Sequence, residues 1–152
     1  MIYNSLLVWY NLMKTVIYGQ DERVCQWVAE RIDAGECFTG VSIGLEENGE
    51  LIAGVVFDMY TGPGISMHVA AIPGKRWMTR DYLYRCFAYP FEQLHCHRIT
   101  GLVRVDNLEA QKFDEHLGFK REGCLRDACD DGTDLIVYGM LKSECRWLGI
   151  KR

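Results

Sequence analysis

The first candidates among side chains that could move a proton lie on two neighbouring predicted strands. Ser66 and His68 are two residues apart in one of them, so their side chains share a face. Imidazole titrates near neutrality, which makes His68 a candidate general base, although a lone strand histidine is often structural. Asp58, at the end of the preceding strand, is a weaker candidate. The other weaker candidates are Tyr60, Asp130 and Tyr138.

A basic loop, Gly74-Lys-Arg-Trp-Met-Thr79, separates a predicted strand from a helix predicted to begin at Arg80. The first N–H groups of a helix lack intrahelical acceptors and lie at the positive end of the helix dipole, so this junction can hold an anion. Lys75 and Arg76 add positive charge. Main-chain donors persist with any side chain except proline. The loop is therefore a candidate phosphate site, or else a basic helix cap that binds nothing.

The elements that must position these residues are seven predicted strands and three predicted helices. The strands are 14–18, 38–45, 51–60, 65–72, 98–105, 120–128 and 135–141, and the helices are 21–32, 80–94 and 107–117. Asp21 is predicted to cap the first helix, and Ala34-Gly35 to follow its end. Pro90 is predicted to kink or shorten the second, and Asn48-Gly49 to form a hairpin turn.

Composition bounds the class of protein. A hydrophobic content of 49% and a charged content of 25% are typical of a globular domain. Residues 14–152 are expected to form one domain, and the apolar arm 1–13 to be dispensable for its fold. The arm would cover either the flank of the domain or a second copy. A net charge of −4 argues against nucleic-acid binding, and no apolar run is long enough to span a membrane.

The seven cysteines suit neither a disulfide framework nor a metal site. Their number is odd and no Cys-x-x-Cys occurs, so reduced thiols in a cytoplasm are expected. His95-Cys96-His97 has two metal-binding residue types, but no second ligand cluster follows at a useful spacing, so we expect no metal.

A combination of short motifs in the second half carries a family resemblance. Asn107 and Ala110 open the third helix, Gly118-Phe119 ends it, Glu122-Gly123 follows, and Tyr138-Gly-Met140 lies in the last strand. This combination resembles the GNAT acetyltransferase superfamily. The similarity is greatest to the branch with ribosomal-protein N-terminal acetyltransferases and to small phage-encoded members. The resemblance implies an α/β fold: a mixed, mostly antiparallel sheet of six to seven strands with helices on both faces.

The same resemblance implies an acetyl-CoA-dependent N-acetyltransferase in which a primary amine attacks directly within a ternary complex. The compartment implied is the cytoplasm, that of a host bacterium if the gene is phage-encoded. For this reaction the candidate catalytic residues are His68, as the base, and Asp58 and Tyr138; catalysis by positioning and ordered water, with no dedicated base, is the alternative. The implied cofactor-binding residues are Val69, Ala70, Lys75, Arg76, Trp77, Met78, Thr79, Arg80, Asn107 and Phe113.

Two departures from the family pattern leave an alternative open. Gly74, Trp77 and Thr79 replace the family's usual residues in the phosphate loop. Asp114 stands where many members have a tyrosine that protonates the departing thiolate. A GNAT-fold module without catalysis, serving as a binding or inhibitory protein, is the alternative function.

Overall fold

The structure, a computed structural model, describes residues 13–32 and 39–149. Residues 1–12 of the predicted arm and the predicted helix end at Ala34-Gly35 lie outside this part. The strands are β1 Lys14–Ile17, β2 Val41–Glu47, β3 Glu50–Asp58, β4 Gly64–Ala71, β5 Arg98–Arg104, β6 Lys120–Leu125 and β7 Leu135–Leu141. The helices are α1 Asp21–Arg31, α2 Arg80–Ala88 and α3 Leu108–Leu117, with a π-helical turn at Tyr89–Gln93 and a 3-10 turn at Lys142–Glu144.

The seven strands form one sheet in the order β1-β2-β3-β4-β5-β7-β6. Strands β4 and β5 pair in parallel, whereas the pairs β1–β2, β2–β3, β5–β7 and β6–β7 are antiparallel. The predicted fold class, a mixed and mostly antiparallel sheet with helices, is therefore confirmed. The chain divides into two compact units, the first made of Met1–Asp58 and His68–Cys86, the second of Met59–Met67 and Phe87–Arg152.

In the first unit, α1 packs closely on β2 and β3 because two glycines lie beneath it. Gly44 and Gly54 are direct partners in the β2–β3 pairing. A Cβ at Gly54 would lie 2.7 Å from Val28 Cγ2, and one at Gly44 would lie 3.2 Å from Val24 Cγ2. Both valines are fully buried. The close approach of this helix therefore depends on two positions without side chains.

Turns in the first unit follow the sequence closely, but the expected cap of α1 is wrong. Asn48 and Gly49 have φ values of 56° and 77°, as a two-residue hairpin with the Asn-Gly pattern requires. Gln20, not Asp21, occupies the N-cap position of α1, and its side chain makes no capping hydrogen bond. Asp21 Oδ1 instead accepts from Ser42 N at 2.8 Å and Ser42 Oγ at 2.7 Å. The Asp21 carboxylate therefore binds two donors of Ser42, on β2, instead of capping its own helix.

Strand and helix ends differ from the predicted ones where the backbone changes conformation. β3 ends at Asp58, because Met59 has a φ of 50°, and β6 ends at Leu125, shortly before Asp127 with a φ of 55°. α2 ends at Ala88 and continues as the π-helical turn, in which Leu94 N donates to Tyr89 O at 3.0 Å. Pro90 lies in that turn, which confirms its predicted effect on the helix.

In the second unit, α3 begins and ends as predicted. Asn107 Oδ1 accepts from Ala110 N at 3.0 Å, and Gly118 follows the helix with a φ of 111°. The helix buries Leu117 as expected but also the polar Gln111. The amide of Gln111 donates to Val105 O at 2.9 Å and to Arg104 O at 3.3 Å, so its burial is compensated.

Among the strands that the structure describes, β6 lies at the edge of the sheet and pairs with β7 alone. All six of its residues are exposed. Its pairing with β7 shifts register between Arg121 and Gly123, which marks a bulge.

Candidate active site

The first unit brings together two of the predicted catalytic residues. His68, on β4, lies with its Nε2 2.8 Å from Asp58 Oδ1, at the end of β3. Their side chains are 27% and 19% exposed, so both are accessible from solvent. When Nε2 carries the hydrogen donated to Asp58, the basic lone pair of the neutral ring is on Nδ1. A proton taken up by this imidazole would therefore give an imidazolium that the Asp58 carboxylate stabilises.

Tyr138, the third predicted catalytic residue, belongs to the second unit and is fully buried. Its hydroxyl donates to Glu115 Oε1 at 2.9 Å and accepts from Arg121 Nε at 3.3 Å. Burial is the main cause of its raised pKa. These contacts tie β6, β7 and α3 together, and a catalytic role for Tyr138 stays a prediction. Tyr60 and Asp130 are exposed.

The basic loop after β4 uses every second main-chain N–H in a local hydrogen bond. Lys75 N donates to Ile72 O at 3.3 Å, across a turn in which Gly74 has a φ of 81°. Trp77 N donates to Lys75 O at 3.1 Å, and Thr79 N donates to Trp77 O at 2.8 Å. In the described part of the chain, the N–H groups of Arg76 and Met78, which lie between these residues, and of Arg80, which follows them, have no protein acceptor.

Two side chains of the loop fix its junction with α2. Thr79 Oγ1 accepts from Tyr82 N at 3.2 Å, so this residue caps the helix. The Trp77 ring meets the Tyr82 ring edge-on, with centroids 6.4 Å apart. Tyr82 is buried and donates its hydroxyl hydrogen to Ile43 O at 2.7 Å. The loop is thereby anchored to the core of the first unit through one tyrosine.

The three cations of the loop differ in their surroundings. Lys75 Nζ lies 3.3 Å from Glu47 Oε1 and is already neutralised. Arg76 and Arg80 are exposed and form no ion pair within residues 13–32 and 39–149. Unpaired guanidinium groups beside unsatisfied N–H donors at a helix N-terminus favour a ligand with several negative oxygens. A diphosphate fits this donor set.

Two open depressions in the same unit lie beside α1 rather than at the histidine. Both are lined in part by Arg23 and Trp27, and neither is lined by His68 or Asp58. A shallow concave surface by itself identifies no reaction, whereas the His68–Asp58 pair has the side-chain chemistry and hydrogen-bond geometry of a proton acceptor.

Comparisons with known proteins give matches in structure only. No protein-family model and no curated protein matches the sequence. A GNAT-family acetyltransferase from Bacillus anthracis matches with 18% identity and a TM-score of 0.64, over 86% of this chain and 96% of that one. The acetyltransferase yncA from Salmonella typhimurium, solved with its cofactor acetyl-CoA, matches with 12% identity and a TM-score of 0.65, over 84% and 93%.

A third match is to mutant forms of the spermidine/spermine N-acetyltransferase SpeG from Vibrio cholerae. Its identity is 16% and its TM-score 0.67, over 86% of this chain and 96% of that one. The chain spans 60% to 62% of the length of three further acetyltransferases that it matches at 23% to 24% identity. The chain has the GNAT fold.

The remaining predicted cofactor residues lie on two elements, β4 and α3 with its cap. Val69 and Ala70 lie on β4, partly buried and buried respectively. Asn107 uses its side-chain oxygen as the cap of α3, and Phe113, on the same helix, is partly buried. Cofactor contacts by these four residues stay predictions, as does the resemblance to one branch of the superfamily.

Asp114 is a titratable residue whose environment the sequence did not reveal. Burial, and then the neighbouring charge of Glu115, raise the pKa of this carboxyl to about 7. Gly101 lies opposite: a Cβ there would be 3.3 Å from Asp114 Oδ2. The signal available in the sequence was its place on α3, next to Phe113 and four residues after Ala110, on the face expected to pack inward. This GNAT-fold chain thus holds a carboxyl that is partly protonated near neutrality.

We expect Asp114→Asn to stabilise the protein at pH 8 but not at pH 4. A carboxyl whose pKa is raised in the folded state loses stability as the pH rises from about 4 through about 7, since the unfolded chain ionises more readily. The asparagine amide removes that cost, by about 2 kcal/mol at pH 8. Urea unfolding of both proteins at both pH values measures the difference. An equal difference at pH 4 and pH 8 would contradict the raised pKa.

The described part of the GNAT-fold chain contains no group of three or more His, Cys, Asp or Glu residues arranged to hold a metal ion. Within the same residues, no helix combines the length and apolar character needed to cross a membrane. Three of the free cysteines there are buried: Cys25, Cys86 and Cys96.

Proposed function

We propose that the protein is an acetyl-CoA-dependent N-acetyltransferase that acts on a primary amine. One observation carries the proposal: His68, paired with Asp58 of β3, is followed along the same strand-loop-helix segment by the loop with three unsatisfied N–H donors. Support comes from GNAT-fold proteins of known structure, one bound to acetyl-CoA and one named for spermidine and spermine.

The pyrophosphate of the cofactor is proposed to bind at the loop. The N–H groups of Arg76, Met78 and Arg80 would donate to its oxygens, and the two arginine side chains would balance its charge. Thr79 contributes indirectly by capping α2, and Trp77 by packing on Tyr82. When bound, the cofactor supplies an acetyl thioester. Val69 and Ala70, on β4 shortly before the loop, are proposed to contact the cofactor as well.

His68 is proposed to take the proton that an amine must lose. Most primary amines are ammonium ions at neutral pH, and only the neutral form has a lone pair for attack. Nδ1 of His68 would accept this proton, and Asp58 would stabilise the imidazolium through the 2.8 Å contact with Nε2. The neutral amine nitrogen would then form the amide bond as the carbon–sulfur bond breaks. Coenzyme A would leave as the thiolate, and the proton lost from the new amide nitrogen would pass to this sulfur to give the free thiol. No acyl-enzyme step is needed for this direct transfer.

The proposal is tested by calorimetry with acetyl-CoA and coenzyme A, followed by a thiol-release screen. The acceptors are polyamines, peptides with free N-termini or lysines, and aminoglycosides. Binding below about 100 µM with acceptor-dependent thiol release is the expected result. Binding without release for any acceptor would favour the alternative, a binding module of GNAT fold. Absence of binding at millimolar concentrations would contradict the cofactor assignment.

Within the loop, Met78→Pro is expected to weaken acetyl-CoA binding at least about tenfold, because proline removes one donor and fixes the local backbone. Arg76→Ala should weaken it about threefold, with a strong salt dependence typical of an exposed charge. Calorimetry at two salt concentrations measures both variants.

Lys14→Ala is the matched control for charge, since Lys14 lies near the Glu47 carboxylate but outside the loop. If Lys14→Ala lowers the affinity more than Arg76→Ala, the assignment of the unpaired arginine to the phosphates is wrong. Equal binding by Met78→Pro and the parent protein would show that main-chain donors do not hold the ligand.

A further inference from the structure

Glu47 connects the hairpin at the end of β2 with the basic loop after β4. Its carboxylate lies 3.3 Å from Lys75 Nζ through Oε1 and 4.0 Å from Lys14 Nζ through Oε2. The Glu47 side chain is only 17% exposed, whereas that of Lys75 is 48% exposed. In the pairing of β2 with its neighbours, Glu47 is opposite Lys14 on one side and opposite Glu50 on the other. The carboxylate therefore has a fixed position between two cations.

The hairpin that carries Glu47 is held on its other side by α1. Arg23 NH1 lies 2.9 Å from Glu46 Oε1, and Arg23 NH2 donates to Gly49 O at 3.3 Å. The Asn48-Gly49 turn closes the two strands directly after Glu47. These contacts hold the hairpin in place, so Glu47 can restrain the exposed loop that it contacts.

Lys75 takes part in the first two local hydrogen bonds of the loop. Its N–H donates to Ile72 O at 3.3 Å, and its C=O accepts from Trp77 N at 3.1 Å. Rotation of the Lys75 backbone would disturb both bonds, and with them the alternation that leaves the N–H groups of Arg76 and Met78 without acceptors. The contact with Glu47 restrains the side chain of this residue.

We infer that Glu47 is a positioning residue for the cofactor loop: its carboxylate holds Lys75 so that the donors of Arg76 and Met78 face outward. This inference rests on the proposed function, because it assigns the loop to a bound phosphate. Two physical effects predict opposite outcomes when Glu47 is neutralised. Loss of a negative charge near an anion site should tighten binding, whereas loss of the restraint should weaken it.

The sign of the effect of Glu47→Gln on coenzyme A binding decides between them. We expect the dissociation constant to rise about threefold, against the direction that charge alone predicts. Lys75→Met should weaken binding at least as much, and the double variant Glu47→Gln/Lys75→Met should be no weaker than Lys75→Met alone. Lys14→Met is the matched control, since it removes the other cation near Glu47 without touching the loop, and its effect should stay below about twofold.

Amide hydrogen exchange of the ligand-free protein provides a readout that needs no cofactor. The bonded amides of Trp77 and Thr79 should exchange about threefold or more faster in Glu47→Gln than in the parent, and at the parental rate in Lys14→Met. Tighter coenzyme A binding by Glu47→Gln, or unchanged exchange at both amides, overturns the inference. If the parent binds no coenzyme A but Glu47→Gln accelerates the exchange, the proposed function fails and the restraint by Glu47 stands.

Discussion

Replacing His68 by alanine is expected to lower the turnover number about 100-fold or more, with the dissociation constant of acetyl-CoA changed less than about twofold. The imidazole is proposed to act on the amine and not on the cofactor, so its loss should affect the chemical step. Its Nε2 contact with Asp58, at 2.8 Å, fixes the ring orientation that this role requires. Thiol release under saturating acetyl-CoA gives the turnover, and calorimetry gives the affinity.

Asp58→Asn provides the second half of this experiment. If the two residues act as one unit, the double variant His68→Ala/Asp58→Asn should be hardly slower than His68→Ala alone. Ser66→Ala, on the same face of β4, is the matched control and should retain most of the turnover. Parental turnover in His68→Ala would remove this histidine from the mechanism.

Gly54→Val is expected to destabilise the protein by about 3 kcal/mol. A Cβ at this position would lie 2.7 Å from Val28 Cγ2 and 3.1 Å from Val24 Cγ1 on α1. Neither valine has room to move, since both are fully buried. The helix must therefore shift outward from β2 and β3 or the new side chain must adopt a strained rotamer. Urea unfolding measures the loss in free energy of unfolding.

Gly123→Ala is the control for a glycine in a strand, because a Cβ there has no neighbour within 4 Å. It should change the free energy of unfolding by less than about 1 kcal/mol. A similarly small effect of Gly54→Val would mean that α1 does not pack as closely on the two glycines as the structure indicates.

The parts of the fold that depend on neighbours in sequence could be predicted. The Asn48-Gly49 turn requires two positive φ values, and these residue types are the ones that adopt them. Asn107 and Gly118 delimit α3 by the same kind of local chemistry. Pro90 ends the regular α-helix because it lacks an N–H, an effect that follows from the residue type alone.

Features that depend on distant residues could not be predicted from the sequence. Asp21 is of a residue type that commonly caps helices, but its carboxylate accepts hydrogen bonds from two donors of Ser42, 21 residues away. Gln111 interrupts the expected apolar face of α3, yet its amide is satisfied by two carbonyl groups. The raised pKa of Asp114 arises from burial, which requires the packed structure.

The residues of the candidate site could be predicted from the sequence, but the contacts between them could not. His68 and Asp58 were separate candidates in the sequence, and the structure joins them by one contact. The loop was recognised from its charge and its place before a helix. Its alternating hydrogen bonds were not, because backbone dihedral angles in a loop of six residues are not fixed by residue types such as Lys, Arg, Trp and Met.

The exposed edge strand β6 has a consequence for self-association. An unpaired edge can template the addition of a strand from another molecule, which leads to continuous sheets and aggregates. Three consecutive charged residues, Lys120, Arg121 and Glu122, begin this strand, and the bulge after Arg121 interrupts a regular register. Charge and irregularity are the features by which natural edges resist such addition. These two features of β6 therefore disfavour self-association by strand addition at this edge of the sheet.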